Sequence, residues 1–204
     1  MSEPQAGRPQ RASEPGDGAA ARLAAHRGRG YRHPVPPARF VTDTSLAFLA
    51  RRLIVLGYDV AVIPGARMVE LFVAGRRERR TVLTLSARHP RKFSDVAAIV
   101  VPRDDAPSAL RTIVAAHAPA GEPFSRCTGC NAALQSRHPM EARGEVPGRV
   151  LRGARTLHYC PVCGKWYWEG THTARLRAWL ERALGRPVPG AGMPGADAPP
   201  ADSR

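Results

Sequence analysis

The four cysteines of this sequence come as two pairs, Cys127-Thr-Gly-Cys130 and Cys160-Pro-Val-Cys163. A C-x-x-C pair makes a tight knuckle in which two thiolates and nearby backbone N–H groups face one cation. Two knuckles supply the tetrahedral set of four sulfurs that zinc prefers. Gly164, directly after the second pair, provides the backbone freedom such a turn needs. The 29 residues between the pairs leave room for an inserted hairpin or loop. A redox dithiol would need one pair only, and it normally opens a helix after a strand. Four protein thiolates leave no open coordination position, so the spacing predicts a structural zinc ion on Cys127, Cys130, Cys160 and Cys163.

A second set of chemistry-bearing residues is scattered in sequence: Asp43, Thr84, Ser86, Asp104 and Asp105. What joins them is the texture of residues 39–118, where short apolar runs alternate with helical patterns in the manner of parallel βα units. Phe40 to Thr42 reads as a first strand. Asp43 or Thr44 caps a helix carrying Leu46, Leu49, Ala50, Leu53 and Leu56, which Gly57 ends. Val60 to Ile63 is a second strand, and Pro64-Gly65 a turn. Met68, Leu71 and Phe72 mark a shorter helix closed by arginines. Thr81 to Leu85 and Ala97 to Val101 are further strands, and Ala109 to Val114 another helix. The expected architecture is α/β, a small doubly wound, mostly parallel sheet with helices on both faces and an appended four-cysteine ribbon. Ligands of such sheets bind beyond the carboxyl ends of the strands. The five polar residues all fall there, so they should converge on one crevice. The plainer reading is that Asp43 caps a helix and Asp104-Asp105 make a turn.

The chain divides into residues 1–38, an Arg/Pro/Gly-rich tail expected to be disordered; 39–120, the α/β domain; 121–186, the ribbon with a C-terminal helix; and 187–204, a second disordered tail. The net charge is +14 with a pI near 11.1. Only Lys92 and Lys165 are lysines among 31 basic residues, the profile of a GC-rich coding sequence, which discounts the charge as evidence for a ligand. Its distribution survives the discount. Residues 39–120 hold 13 basic and 7 acidic side chains and residues 121–186 hold 11 and 5, so the excess sits on the folded parts and favours a polyanionic partner. No apolar run is long enough to span a bilayer, and the N-terminal stretch lacks the apolar segment of a secretory signal, so the expected location is cytoplasmic, away from membranes.

After the second knuckle comes Trp166-Tyr167-Trp168-Glu169-Gly170-Thr171-His172. These aromatics either stack on bases or cover a ribbon too small to have its own core. His172 is either a phosphate contact or a surface residue.

The motifs together resemble the Mut7-C RNase family, proteins with a PIN-like nuclease domain followed by a zinc ribbon. The likeness runs from about Arg39 to His172. It rests on Asp43, Leu46, Leu49-Ala50-Arg51, Leu56-Gly57-Tyr58-Asp59, Val82-Leu83-Thr84 and Asp104-Asp105. The ribbon adds Arg126-Cys127-x-x-Cys130-Asn131, Cys160-Pro161-x-Cys163-Gly164 and Tyr167-Trp168-x-Gly170-Thr171-His172. The resemblance implies metal-dependent hydrolysis of RNA, with carboxylates holding Mg²⁺ or Mn²⁺. Asp43, Asp104 and Glu70 are the candidate ligands. The family's second-helix acid falls at Arg67 or Met68 here, and its third-strand acid at Ser86. Arg51, Arg76, Arg77, Arg126, Trp168 and His172 are the candidate RNA contacts. Beside the ribonuclease stand two alternatives: a degenerate PIN-like protein that binds RNA or a ribonucleoprotein, and a zinc-stabilised protein-interaction module. Oligomeric state is left open.

Overall fold

The computed structural model describes residues 37–190. The disorder expected of residues 1–36 and 191–204 lies outside the described residues. Strands β1 (Arg39–Thr42), β2 (Asp59–Val62), β3 (Thr81–Thr84) and β4 (Ala98–Val100) form one sheet in the order β2-β1-β3-β4. Every neighbouring pair is parallel. Helices α1 (Ala47–Val55) and α2 (Met68–Glu78) cross between the first three strands, and α3 (Ala106–Ala116) follows β4.

Side chains on a strand alternate between faces, and this alternation assigns the helices. Phe40, Val60 and Leu83 point to one face and pack with Leu49, Leu53 and Ile54 of α1 and Leu110 and Ile113 of α3. Val41 and Val82 point to the other face and pack against Leu71, Phe72 and Ala74 of α2 and against Val96. The expected doubly wound sheet is therefore present, with helices on both faces. Phe40, Leu53, Leu71, Phe72, Leu83 and Leu110 are wholly buried, and burying each such side chain contributes about 1.5–3 kcal/mol. The fourth strand is an edge strand, and Val100 is half exposed. With one pairing neighbour, β4 has only its inward-facing residues covered.

The ribbon is a three-stranded antiparallel sheet, β5 (Gln135–Arg137), β6 (Leu157–Tyr159) and β7 (Trp166–Tyr167), in the order β5-β6-β7. A short helix α4 (Gly148–Gly153), not expected from the sequence, occupies the insertion between the cysteine pairs. Ala142, Val146 and Leu157 make a small core of their own, which Leu151, Trp166 and Trp168 flank.

Helix α5 (Thr171–Leu184) follows the ribbon in sequence but belongs to the α/β domain in space. Leu176, Trp179, Leu180 and Ala183 recur at 3- and 4-residue steps and join the cluster of α1 and α3. Beyond it Val188 is buried in the same cluster, and its N–H donates to Glu181 Oε1 at 3.2 Å. At the other end Ala38 N–H donates to Ala118 O at 3.2 Å. The stretches read as tails thus begin inside the fold at both ends. The reason is one hydrophobic position, Val188, surrounded by Pro and Gly, whose composition masked it. Among the described residues no helix is long and apolar enough to cross a membrane.

The connection from α3 to the ribbon is pinned at Gly57. Its φ is +89°, and a Cβ there would lie 2.0 Å from Gly121 O. Ala120 N–H donates to Gly57 O at 3.1 Å and Phe124 N–H donates to Val55 O. Gly57→Ala is expected to lose about 2 kcal/mol from the left-handed backbone alone. The lost stability will show as a lower urea midpoint, with further loss if Gly121 cannot move aside; an unchanged midpoint would contradict the pinning.

Candidate functional site

The two knuckles have the same hydrogen-bond frame. Cys127 N–H donates to Ala132 O at 2.8 Å, and Asn131 N–H donates back to Cys127 O at 2.8 Å. In the second knuckle Cys160 N–H donates to Lys165 O at 2.9 Å, and Gly164 N–H donates to Cys160 O at 2.9 Å. Each frame needs a left-handed residue just after its second cysteine: Asn131 at φ +65° and Gly164 at φ +70°. Asparagine is among the few non-glycine residues that tolerate this region. Its equivalence to Gly164 was readable in the motif and was missed.

The four sulfurs lie within 4.8 Å of one another. The Cys127–Cys163 and Cys130–Cys160 pairs are 3.5 and 3.4 Å apart. A tetrahedron with metal–sulfur bonds of about 2.3 Å has edges of roughly 3.8 Å, so the donor set fits one metal ion, consistent with structural zinc. Its electrostatics point the same way. Burial pushes the Cys127 thiol up, but a hydrogen bond from Tyr167 Oη at 3.0 Å and the N–H groups of Cys130 and Gly129 outweigh it and bring it down to about 6. At Cys130 the Ala132 N–H pulls down, while burial and the neighbouring sulfurs push the thiol up to about 12. One sulfur ionises easily and its neighbour resists, because like charges are crowded together. A cation removes that conflict for all four.

The ribbon is latched to the α/β domain by charge. Asn131 Nδ2 donates to Asp59 Oδ1 at 2.7 Å, and Arg80 Nη1 reaches the same oxygen at 2.7 Å. Arg39 Nε donates to Asp59 Oδ2 at 3.1 Å. Arg80 also binds Glu78 Oε2 at 2.9 Å and Phe40 O at 3.1 Å. Burial pushes the Asp59 carboxyl up, but hydrogen bonds from Arg80, Asn131 and Arg39 and the Arg80 charge hold it below the usual range. Arg39 and Asp59 open β1 and β2, and Arg80 immediately precedes β3. The latch therefore lies at the amino-terminal edge of the sheet.

The opposite edge carries the expected crevice residues. Parallel pairing places Asp43, Ser86 and Asp104 beyond the carboxyl ends of β1, β3 and β4. Asp43 Oδ1 accepts from Ser45 N–H at 2.8 Å and from the Ser45 hydroxyl, so it caps the turn leading into α1. Asp105, rather than Asp104, caps α3 by accepting from Ser108 N–H at 2.9 Å. Glu70 accepts from Arg67 N–H and Arg67 Nε, both at 2.9 Å, which holds its carboxyl below the usual range. Thr84 Oγ1 donates to Met68 Sδ at 3.4 Å and accepts from Ser86 N–H at 3.0 Å. Ser86 Oγ pairs with His89 Nδ1 at 2.7 Å. Met68 and Ser86 are thus gathered around Thr84. His89 was not singled out from the sequence, since only the loop's return brings it there. Among the described residues the four cysteines are the one group of three or more potential ligands gathered within metal-binding distance. Asp43, Asp104 and Glu70 do not form such a group.

The candidate RNA contacts divide. Arg76 forms a two-bond pair with Asp95, and Arg77 pairs with Glu78. Arg51 is exposed on α1. Arg126, Trp168 and His172 line one cavity where the ribbon meets α1 and α5.

A family model described as Mut7-C RNAse domain matches residues 38–180. The chain belongs to the Mut7-C RNAse domain family. The match covers both the sheet and the ribbon and gives this Mut7-C chain a ribonuclease-like function in outline. No curated protein and no solved structure matches it.

Proposed function

We propose that this Mut7-C protein binds RNA and has lost most of its divalent-metal cleavage. The reading is supported by Met68 and Ser86, which sit together around Thr84, and by the resemblance, which puts the family's acids at Arg67 or Met68 and at Ser86. A thioether and a hydroxyl do not neutralise a hard cation, and Asp43 alone makes a weak site. The four thiolates hold zinc in a closed, structural role. The basic excess on both folded blocks supplies phosphate contacts. The retained Asp43 favours a second reading, a working metal-dependent ribonuclease, with Asp104 and Glu70 as helpers.

RNA affinity is expected to fall steeply with salt, because each phosphate contact on a single strand contributes about −0.7 to the slope of log K against log salt. Cleavage of single-stranded and structured RNA should be equal in Mn²⁺ and in EDTA. The double variant Met68→Asp, Ser86→Asp should raise Mn²⁺ affinity. Multiple-turnover cleavage by the unmodified protein, abolished by Asp43→Asn, would establish the second reading. Salt-insensitive or undetectable RNA binding would sink both and favour a protein-interaction module.

A further inference from the structure

The cavity between the ribbon, α1 and α5 has a volume of about 120 Å³. That is roughly four water volumes, far below the 300–1,000 Å³ or so of cofactor-sized sites. One flat ring fits, and a complete nucleotide does not. Its lining suits a ring: Phe124, Tyr167 and Trp168 supply aromatic surface, with aliphatic surface from Val55 and Leu176. Such faces stack on any base.

Polar groups in the lining lack internal partners. The ring nitrogens of half-buried His158 make no hydrogen bond among the described residues. The two neighbouring tryptophans differ in the same respect. Trp166 Nε1 donates to Glu145 Oε2 at 3.0 Å, whereas Trp168 Nε1 has no acceptor among the described residues. Donor and acceptor capacity is thus left beside aromatic walls, as recognition of a base edge requires. The lining carries one fixed cation, Arg126, whose Nη1 donates to the neutral Asn131 O at 2.7 Å, and its one carboxylate, Glu169, is paired with Arg177. An aromatic ring carried on a polyanionic chain matches all three features.

We propose that this cavity is a recognition pocket for one unpaired base of single-stranded RNA, an inference that rests on the RNA-binding reading above. A double helix is excluded because its bases are stacked and paired inside. The base enters between the aromatic side chains while its flanking phosphates meet Arg126 and the arginine surface.

The test uses the full zinc-loaded protein and two labelled probes at low salt. One is an oligoadenylate of about eight nucleotides, within the usual site size for single strands. The other is an abasic strand with the same number of phosphates. Stacking of one base makes the first bind about tenfold more tightly. Leu134 also lines the cavity, and Leu134→Trp, which fills it, removes that preference while leaving affinity for the abasic strand unchanged. Trp168→Leu, which removes an aromatic wall without added bulk, lowers the ratio of the two affinities, should the larger side chain disturb the ribbon's zinc content. Equal, salt-sensitive affinity for both probes overturns the pocket and leaves RNA binding standing. A preference that survives both variants places base recognition elsewhere and also overturns it. Failure of both probes to bind overturns the pocket and the RNA-binding reading together.

Discussion

Cys127→Ser is expected to release the metal and unfold the ribbon while the sheet of β1–β4 keeps its secondary structure. The ribbon's own core contains only Ala142, Val146 and Leu157 as buried side chains. At about 1.5–3 kcal/mol for each large apolar residue, such a core cannot offset the ordering entropy of some 50 residues. Structural zinc sites contribute roughly 10–16 kcal/mol, so the metal decides whether this block folds. Cys127 is also the sulfur with the most donors, from Tyr167 and two backbone N–H groups, so its loss disturbs the site more than that of exposed Cys163. Elemental analysis of the unmodified protein should find one zinc per chain. Hydrogen exchange should show β6 and β7 unprotected in Cys127→Ser and the β1 and β3 amides still slow. Protection of β6 in a zinc-free protein would refute the dependence.

Asp59→Ala should cost about 1–3 kcal/mol, the usual result of leaving buried hydrogen-bonding groups short of a partner. Arg80, whose side chain is 9% exposed, is left with Glu78 and Phe40 O, and Asn131 and Arg39 lose an acceptor at the same time. Replacing both partners, Asp59→Leu with Arg80→Met, should recover much of the loss, since the desolvation penalty goes with the charges. The pH dependence has a definite sign. The carboxyl is held below its ordinary value in the folded protein. Its contribution is therefore complete above the unfolded value of about 3.9 and fades as pH falls through the lower folded value. The stability difference between the unmodified protein and Asp59→Asn should be flat from pH 7 to about 5 and shrink below about 4. Acid release of the metal is common to both proteins and cancels in that difference. A difference that grew toward low pH would contradict the latch.

Local pattern carried the sheet and the knuckles but not the contacts between them. Phe40 and Val41 announce opposite faces by adjacency, and two C-x-x-C pairs announce a metal by spacing. Asp59, by contrast, reads as the end of a turn after Gly57. Its partners, Arg80 and Asn131, are 21 and 72 residues away, and nothing periodic links them. Ser86 and His89 are only three residues apart, yet their pairing depends on how the loop after β3 turns. The apolar stripe of α5, Leu176 to Ala183, was legible as a helix; its target was not. Its place next to the ribbon in sequence suggested the wrong neighbour, whereas the open face beside α1 and α3 determined the real one.

The position of α5 sets an order of events during synthesis. The apolar surface of α1 and α3 that α5 and Val188 cover stays exposed to water until the last part of the described chain has been made. Between the end of α3 and Val188 lie about 70 residues, roughly 4–14 s of translation at about 5–20 residues per second. All four cysteines emerge within that interval. The ribbon can therefore take its metal while the larger domain is still incomplete, and the nascent chain presents an unsealed apolar surface throughout. Zinc scarcity would then act before the protein is finished, by leaving α5 tethered to an unfolded segment when it should dock.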